Sequence, residues 1–339
     1  MRRLGWAAGL HHENALLREA LAREFAELSS MRRRYPRFAR DMDDFHGELL
    51  TAVDANEAAL TELTAEAAPA SAWGRVRARA QWEWDDLMGT HAEPYGRLGS
   101  LLRHLAKDWT AAGADGCAKL HGRVLLALRE ALRPSASILV PGCGMARLAA
   151  RIATEMPSAS VRAVELSPAQ LAIGEAMLRA EVAGAVTFHP FVDEPRNNFE
   201  SRSRTIALRA PDVAHAGVPP NLTLACGDFA DVADVDHPRH DAVVTHFFID
   251  CPADVVTTIE RVHACLAPGG LWVHAGPLAW HHWPALSPCL SQLLNLGDEI
   301  GLEPIGEPEV ISADYLARPK VMSHENRWDA AFIACCKRA

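Results

Sequence analysis

The hydrophobic positions in the first third of the chain recur at helical spacing. Apolar side chains lie three or four residues apart, with charged residues between them, at Leu16, Leu17, Leu21, Phe25 and Leu28. Helices are therefore predicted over residues 12–66, including the stretch Phe45–Leu63, and then over Ala72–Leu87, Arg97–Ala111 and Cys117–Leu132. We expect residues 1–133 to form a helical N-terminal region.

The pattern changes at Pro134, where short apolar runs begin to alternate with helical segments. Strands are predicted at Ile138–Val140, Val161–Glu165, Leu222–Cys226, Asp241–Ile249, Leu271–Ala275, near Val310 and at Asp329–Cys336. Helices are predicted between them at Ala146–Glu155, Ser167–Val182 and Ala253–Leu266. Alternating strands and helices favour a parallel sheet with helices on both faces. The fold class predicted for residues 134–339 is therefore α/β with a Rossmann-like sheet, and residues 1–133 are its N-terminal helical extension.

Residues 182–220 interrupt this alternation. They are rich in Pro, Asn, Ser and Arg and show little periodicity. A long irregular segment inside a compact domain is uncommon and often forms a lid or a binding loop. The pattern leaves two alternatives open, a lid and a plain insertion.

Composition and charge narrow the class of protein. The 339 residues are 49% hydrophobic with a net charge of -9, an acidic balance that argues against a nucleic-acid-binding protein. Arginines gather over residues 32–40, but acidic residues follow at once, so this run is read as a solvated helix face. No apolar run approaches the roughly 18 residues of a membrane span, and no signal peptide is recognised. Eight cysteines without a CxxC pair indicate a reduced, cytoplasmic protein.

A glycine-rich loop follows the first predicted strand. Gly142 and Gly144 lie between Val140 and the helix that begins near Arg147, with Ala146 where a dinucleotide fingerprint has its third glycine. Glycines let the backbone turn sharply and approach a ligand closely. Several nucleotide-type cofactors use such a loop, so this feature alone does not choose among them.

Two further strand ends narrow the choice of cofactor. Glu165 ends the second strand, about 20 residues after the glycines, where a carboxylate can accept hydrogen bonds from a ribose diol. Asp228 and Phe229 follow the third strand, where they can bind and cover an adenine ring. Gly-Asp-Phe at this place is typical of methyltransferases. The combination therefore predicts S-adenosylmethionine rather than NAD as the cofactor.

The next two strand ends carry the candidate catalytic residues. Asp250 follows the aromatic pair of the fourth strand, and its alternative role is the N-cap of the helix Ala253–Leu266. The fifth strand leads to Trp280, His281 and His282, where a substrate is expected. His274, His281 and His282 lack a convincing ligand spacing, and no metal site is predicted.

Several motifs together resemble the carnosine N-methyltransferase family. They are the segment from Val140 to Ala149, Gly227-Asp228-Phe229, Phe247-Phe248-Ile249-Asp250, Pro268-Gly269-Gly270-Leu271-Trp272 with Gly276-Pro277-Leu278, Lys107-Asp108-Trp109, Asn197-Asn198 and Pro211-Asp212-Val213. The resemblance covers about residues 100–339. It implies methylation of an imidazole ring nitrogen in a histidine-containing dipeptide, with S-adenosylmethionine as the methyl donor. A homodimer is a further expectation from it.

The resemblance also implies a set of site residues. Cofactor contacts fall on His104, Lys107, Gly142, Gly144, Arg147, Glu165, Asp228, Phe229 and His246. Catalytic roles fall on Asp250 and His281, and substrate contacts on Asp250, His281, His282, Trp280, Asn326 and Trp328. His281 is preferred over His282 from its spacing to Gly276-Pro277-Leu278.

The sequence departs from the family at several of these positions. His104 and Lys107 stand where the family has Gln and Arg, and His246 stands where it has Cys. Asn326 and Trp328 replace substrate-contacting tyrosines. The alternatives are therefore a methyltransferase for another small molecule or a peptidyl histidine, and a protein that binds S-adenosylmethionine without turnover.

Overall fold

The structure is a computed structural model of the chain. It describes residues 5–65, 74–75, 96–196, 198–232, 239–252, 254–281, 286–316 and 326–338. The side chains of a few of these residues, Asn326 among them, lie outside the description.

Helices dominate the N-terminal region. They are α1 (Gly5–Ala26), α2 (Pro36–Ala65), α3 (Gly96–Trp109) and α4 (Ala111–Ala131), with a 3₁₀ turn at Glu27–Ser30. Pro36 begins α2, since the fixed φ of proline suits the first turn of a helix. Thr110 separates α3 from α4 and accepts a hydrogen bond from the Gly113 N–H as the N-cap of α4. The predicted helix Ala72–Leu87 is wrong at Gly74–Arg75, a short strand that pairs with Ala225 and Cys226, and the rest of it lies outside the described residues.

The described strands form one nine-stranded sheet and a separate two-stranded ribbon. They are β1 (Gly74–Arg75), β2 (Ser137–Pro141), β3 (Ser160–Glu165), β4 (Val186–Phe188), β5 (Leu208–Ala210), β6 (Leu222–Cys226), β7 (His240–His246), β8 (Leu266–Gly276), β9 (Leu302–Pro304), β10 (Glu309–Leu316) and β11 (Asn326–Lys337). The order across the large sheet is β1-β6-β3-β2-β7-β8-β11-β10, with β9 beside β11. Neighbouring strands run parallel from β1 across the sheet to β8, in the order just given. β11 is antiparallel to β8 and β10. This arrangement confirms the predicted Rossmann-like α/β fold.

Helices that follow the strands cover both faces of the sheet. They are α5 (Arg147–Glu155), α6 (Pro168–Arg179), α7 (Phe229–Val232), α8 (Val255–Cys265) and α9 (Leu290–Ile300). The prediction missed α9, although Leu290, Leu293, Leu294 and Gly297 repeat at helical spacing. The predicted strand Asp241–Ile249 is too long at its C-terminal end, because β7 stops at His246 and Phe247 has a φ of 50°.

The N-terminal helices share one hydrophobic core with the sheet. Leu60 of α2, Leu105 and Trp109 of α3 and Leu120 of α4 are buried in the same cluster as Ile138 of β2. The opposite face of the sheet has its own core, where Ile259 and Leu293 pack against Trp272. The helical extension therefore packs on the face of the sheet to which β2 contributes Ile138.

The segment 182–220 is bonded to the N-terminal helices. Its strands β4 and β5 form the two-stranded ribbon. Asn56 of α2 both donates to the His189 carbonyl (3.0 Å) and accepts from the His189 N–H (2.7 Å). Arg103 of α3 binds the Asp193 carboxylate at 2.8 Å. These contacts hold the segment against α2 and α3, and the choice between a lid and a plain insertion stays a prediction.

The structure also bears on the expectations about membrane spans and disulfides. Among the described helices, none is long and apolar enough to cross a membrane. All eight cysteines fall within the described residues, and each is a free thiol.

Candidate active site

The carboxyl ends of β6, β3, β2, β7 and β8 meet at one edge of the sheet. The chain leaves β2 toward β3 and β6 on one side, and returns to β7 and β8 on the other. A reversal of strand order opens a crevice at such an edge, and open α/β sheets bind ligands there. This crevice is the candidate active site, and most of the predicted site residues lie around it.

The glycine loop after β2 is held by Glu165. Gly142 and Gly144 have φ values of 58° and 56°, a region that favours glycine. Glu165 accepts hydrogen bonds from the Gly144 N–H (2.8 Å) and the Ser167 N–H (2.9 Å). Burial raises the pKa of Glu165, while these N–H groups act in the opposite direction. The buried carboxylate therefore braces the loop and keeps further lone pairs for a ligand hydroxyl.

Aromatic rings close one side of the loop. A Cβ on Gly142 would lie 2.0 Å from Cδ2 of Phe248, so this ring packs directly on the glycine. Phe229 meets Phe248 edge to face, with ring centroids 5.6 Å apart. Asp228 accepts a hydrogen bond from the Ala230 N–H at 2.8 Å. Asp228 and Phe229 thus lie beside the glycine loop, and their adenine contacts stay a prediction.

A buried ion pair of α3 lies near the glycine loop. The Lys107 ammonium contacts the Asp108 carboxylate, and both residues are buried. Asp108 Oδ2 lies 3.9 Å from the Cβ position of Gly144. His104 lies one turn before Lys107, and burial together with the Lys107 charge lowers its pKa to about 4. The predicted residues His104 and Lys107 therefore border the site, and Asp108 joins them.

His246 ends β7 beside this ion pair. Burial lowers the pKa of His246 well below its usual range, and the ring is neutral at pH 7. Its Nε2 has no hydrogen-bond partner among the described residues. The ring meets His121 of α4 at 4.9 Å between centroids, and His121 was not predicted. A buried nitrogen without a hydrogen-bond partner calls for an explanation, and the predicted cofactor contact of His246 stays a prediction.

Arg147 is engaged by the inserted segment. Its guanidinium donates to the Asp212 carboxylate at 2.7 Å and lies 4.7 Å from the ring centroid of Trp109. Trp109 in turn donates to the Met145 carbonyl at 3.2 Å. Arg147 therefore fixes the start of α5 against residues 182–220, and its cofactor contact stays a prediction.

Asp250 and His281 meet at the ends of β7 and β8. Asp250 Oδ2 accepts a hydrogen bond from the Ala279 N–H at 2.9 Å and lies 3.8 Å from His281 Nε2. The His281 N–H donates to the Asp250 carbonyl at 3.1 Å. The Asp250 side chain is 1% exposed and that of His281 is 54% exposed. A buried carboxylate and an accessible imidazole thus face one another, as the two strand ends predicted.

The alternative role of Asp250 as a helix cap is wrong. Asp254 is the N-cap of α8, and it accepts a hydrogen bond from the Thr257 N–H at 3.1 Å. Burial raises the pKa of Asp250, while the Ala279 N–H and His281 act in the opposite direction. The carboxylate of Asp250 therefore does not cap α8, and its substrate contact stays a prediction.

Left-handed backbone gathers at this edge. The non-glycine residues of the described chain with positive φ are Ala146, Phe247 and Trp280, at 61°, 50° and 47°. They follow β2, β7 and β8 respectively. Bulky residues rarely adopt this conformation, and such strain is concentrated at functional sites. Each kink turns the chain at a strand end and sets the direction of the segment that carries the site residues.

The remaining predicted substrate residues are only partly described. Trp328 lies half-buried on β11, where it pairs with Ala313 of β10. Asn326 begins β11, and its side chain is outside the description. His282 lies outside the described residues. β11 is antiparallel to β8, so its first residues lie at the same edge as His281.

A group of possible metal ligands also lies here. Among the described His, Cys, Asp and Glu side chains, Asp250, Cys251 and His281 bring ligand atoms within 4.8 Å of one another. His274 is elsewhere, buried in β8 with its Nδ1 3.1 Å from Thr245 Oγ1. The sequence analysis missed Cys251, although it directly follows the predicted Asp250.

The family model and the curated relatives that match this chain carry the same description. The family model described as carnosine N-methyltransferase matches residues 90–339. Carnosine N-methyltransferase from Drosophila melanogaster is 26% identical over 252 residues, which cover 70% of this chain and 54% of that protein. The Rattus norvegicus enzyme is 30% identical over 216 residues, which cover 61% and 50%. The chain thus spans about half the length of these curated relatives.

Solved structures with a similar backbone are more distant. A TehB-like SAM-dependent methyltransferase from Corynebacterium glutamicum is 14% identical, with a TM-score of 0.39 over 65% of this chain and 88% of that chain. Magnesium protoporphyrin IX methyltransferase from Synechocystis is 10% identical, with a TM-score of 0.43 over 76% and 89%.

Proposed function

We propose that this chain, which belongs to the carnosine N-methyltransferase family, transfers a methyl group from S-adenosylmethionine to an imidazole nitrogen of a histidine-containing small molecule. The observation that carries the proposal is the pair formed by Asp250 and His281. A buried carboxylate and an exposed imidazole lie 3.8 Å apart, across the crevice edge from a glycine loop. Such a pair suits a small substrate that carries both a hydrogen-bond donor and an aromatic nitrogen.

The residues around the glycine loop fit S-adenosylmethionine. The loop keeps two glycines at positive φ, and Glu165 retains lone pairs beyond its two backbone hydrogen bonds. The unpartnered His246 Nε2 offers a lone pair or a proton, according to its tautomer, to the amino-acid end of the cofactor. S-adenosylmethionine supplies an electrophilic methyl group when it is bound. Holding the nucleophile close and aligned then provides most of the acceleration.

Asp250 orients the substrate ring. A neutral imidazole has one N–H and one free lone pair, with a pKa near ~6.5. If the Asp250 carboxylate accepts the ring N–H, the other nitrogen is fixed as the nucleophile and points away from Asp250. The same carboxylate stabilises the positive charge that develops on the ring. His281 acts as a second anchor, and Trp280 and Trp328 flank the ring.

A different substrate is the second candidate. It is favoured by the half-buried Trp328 and by Asn326, which stand where the family is expected to have tyrosines. A change of side chain at β11 alters the shape of the pocket without touching Asp250. The alternatives are another imidazole-containing small molecule and a peptidyl histidine. The homodimer and the cytoplasmic location also stay predictions.

A substrate panel tests the proposal directly. The purified chain is incubated with S-adenosylmethionine and carnosine, free histidine, histidine-containing peptides or unrelated amines, and methylated products are identified by mass spectrometry. We expect ring-methylated product from an imidazole compound. Tight cofactor binding without product from any of these, or from a cell extract, would instead indicate a binding protein without turnover.

The variant Asp250→Asn tests the assigned role. Its amide presents both a donor and an acceptor, so the substrate tautomer is no longer fixed, and turnover should fall about 10²- to 10³-fold. Calorimetry should give nearly the same affinity for S-adenosylmethionine. Asp254→Asn is the matched control, because asparagine is an equally good N-cap for α8. Equal losses of turnover and cofactor affinity in Asp250→Asn contradict the role.

A further inference from the structure

Asp250, Cys251 and His281 lie together at the substrate end of the crevice. The proposed methyl transfer uses Asp250 and His281 but not Cys251. Asp250 Oδ2 lies 3.8 Å from His281 Nε2, and Asp250 Oδ1 lies 3.9 Å from Cys251 Sγ. All three side chains bring a ligand atom within 4.8 Å of one another. We propose that Asp250, Cys251 and His281 bind a Zn²⁺ ion when no substrate is present, and that this ion inhibits the enzyme.

The chemistry of the three donors selects the kind of ion. A thiolate, an imidazole and a carboxylate are ligands of zinc, whereas magnesium and calcium prefer oxygen ligands throughout. With metal–ligand bonds of 2.0–2.3 Å, donors around a tetrahedral zinc ion are about 3.3–3.8 Å apart. The two measured distances, 3.8 and 3.9 Å, lie at or just above this range, and all ligand atoms lie within 4.8 Å of one another. Side-chain rotations that draw the donors together are therefore needed to complete the site. Three protein ligands leave a fourth position for water.

The backbone already holds the three donors together. Asp250 and Cys251 are adjacent, and His281 reaches them because its N–H is bonded to the Asp250 carbonyl at 3.1 Å. The Ala279 N–H fixes Asp250 Oδ2 from the same segment. Half of the His281 side chain is exposed, which gives the ion a path from solvent. The site is therefore formed by two loops that are bonded to each other without the metal.

Binding requires the proton of the Cys251 thiol to leave. Burial, assisted by the Asp250 carboxylate, raises the pKa of this thiol to about 12, so it is protonated at neutral pH. Zinc binding forms Zn–S, Zn–N and Zn–O bonds, breaks the S–H bond and releases one proton to the buffer. No oxidation or reduction takes place.

The inhibitory effect rests on the proposed function, while metal binding does not. Zinc is coordinated by the Asp250 carboxylate, which otherwise accepts the substrate N–H, and by His281 Nε2. A substrate imidazole and the ion therefore compete for the same groups.

Cobalt titration tests the site itself. Co²⁺ prefers the same ligands, and a thiolate ligand gives it an intense ligand-to-metal charge-transfer absorption. We expect the metal-free wild-type protein to bind one equivalent of Co²⁺ with this absorption, and excess Zn²⁺ to displace it. Cys251→Ser should lose the absorption, and its affinity should fall at least ~10-fold, because even the loss of a residue that only orients a metal ligand costs about that much. Cys289→Ser is the matched control, because this exposed thiol lies at the start of α9.

The cobalt result decides the site whatever the activity. Saturable binding with a thiolate band that disappears only in Cys251→Ser supports it. A band that survives in Cys251→Ser, or the absence of saturable binding by the wild-type protein, overturns it. The same outcomes are readable with a protein that methylates nothing.

Activity measurements then test the inhibition. For each variant, the rate of imidazole methylation with Zn²⁺ is divided by its own rate with a chelator. We expect this ratio to fall well below one for the wild type and Cys289→Ser, to stay near one for Cys251→Ser, and to recover as the imidazole concentration rises. A wild-type enzyme that loses turnover in the chelator overturns the inhibitory role. A protein that binds cobalt through Cys251 but methylates no imidazole retains the metal site and refutes the proposed function.

Discussion

The two sides of the crevice are built differently. On the glycine-loop side, at the ends of β2, β3 and β6, a buried carboxylate is bonded to backbone N–H groups and a phenylalanine ring packs on Gly142. On the Asp250 side, at the ends of β7 and β8, a buried carboxylate faces a half-exposed imidazole at 3.8 Å, longer than a hydrogen bond. Both oxygens of Glu165 accept backbone hydrogen bonds on the first side, whereas the His281 imidazole leaves the second side open to solvent.

This difference separates binding from specificity. A closed network holds its geometry before the ligand arrives, so it suits a cofactor that is the same in every turnover. An open pair takes its last hydrogen bonds from the substrate, so substitutions at Asn326 and Trp328 can change the substrate without disturbing the cofactor. If the comparison holds, variants on the two sides will divide into those that affect folding and cofactor affinity and those that affect turnover.

The largest effect is expected at Gly142. In Gly142→Ala the new methyl group would lie 2.0 Å from the Phe248 ring, on a residue whose φ is 58°. Overpacking and left-handed strain together should lower the free energy of unfolding by about 3 kcal/mol and weaken S-adenosylmethionine binding. Urea denaturation and calorimetry measure the two effects. Gly122→Ala is the control, because nothing lies within 4 Å of that Cβ position in α4, and alanine should stabilise the helix. An unchanged Gly142→Ala would show that the glycine-loop side is not closed.

Glu165→Gln should have the next largest effect. Glutamine keeps one acceptor oxygen, so either the Gly144 or the Ser167 N–H loses its partner in a buried place, at a cost of about 1–3 kcal/mol. We expect lower stability and a cofactor affinity at least ~10-fold weaker, which corresponds to about 1.4 kcal/mol. Denaturation and calorimetry again provide the measurements. Glu155→Gln, which loses only surface ion pairs to Arg129 and Arg151, should change both by little. Equal effects in the two variants would remove the special role of Glu165.

His281→Gln probes the open side. The backbone N–H of residue 281 still binds the Asp250 carbonyl, so the loop should keep its place while the imidazole is lost. Turnover should fall about 10-fold, with no change in the affinity for S-adenosylmethionine. Steady-state kinetics with the best substrate of the panel and calorimetry measure these quantities. The exposed His12→Gln serves as control. A loss of cofactor affinity in His281→Gln would show that the two sides are not independent.

Local signals made the glycine-loop side predictable. The strand, the glycines and the acidic residue of the next strand lie within 30 residues, and each has a fixed place in a parallel α/β unit. The structure places Gly142, Gly144 and Glu165 together as the spacing indicated. The meeting of Asp250 with His281 was also predictable, because neighbouring parallel strands end at the same edge.

Features set by tertiary contacts were not predictable. Phe247 reads as part of an apolar strand, yet it turns to φ 50°, where its N–H binds the Ala275 carbonyl, and a Cβ on Gly276 would approach its N at 2.9 Å. Cys251 reads as a small apolar residue, and only the fold brings its thiol to His281. The choice of Asp254 over Asp250 as the cap depends on where α8 begins, and helix boundaries are the least certain part of a sequence-based prediction.

The last prediction concerns acid and two buried histidines, His121 of α4 and His274 of β8. Burial lowers the pKa of His121 to about 3 and that of His274 to about 4, whereas both titrate near ~6.5 in the unfolded chain. The unfolded state therefore binds more protons below pH ~6.5, and the stability these neutral rings contribute above that pH is lost as the pH falls toward about 4. Each ring adds up to about 1.4 kcal/mol per pH unit to the slope of the free energy of unfolding against pH.

Urea denaturation between these pH values should give a slope for His121→Gln that is smaller by up to this amount, whatever its stability at pH 7. His12→Gln, whose ring is exposed, should keep the wild-type slope. A wild-type slope in His121→Gln would mean that this ring takes up its proton without unfolding, and that water reaches it in the folded protein.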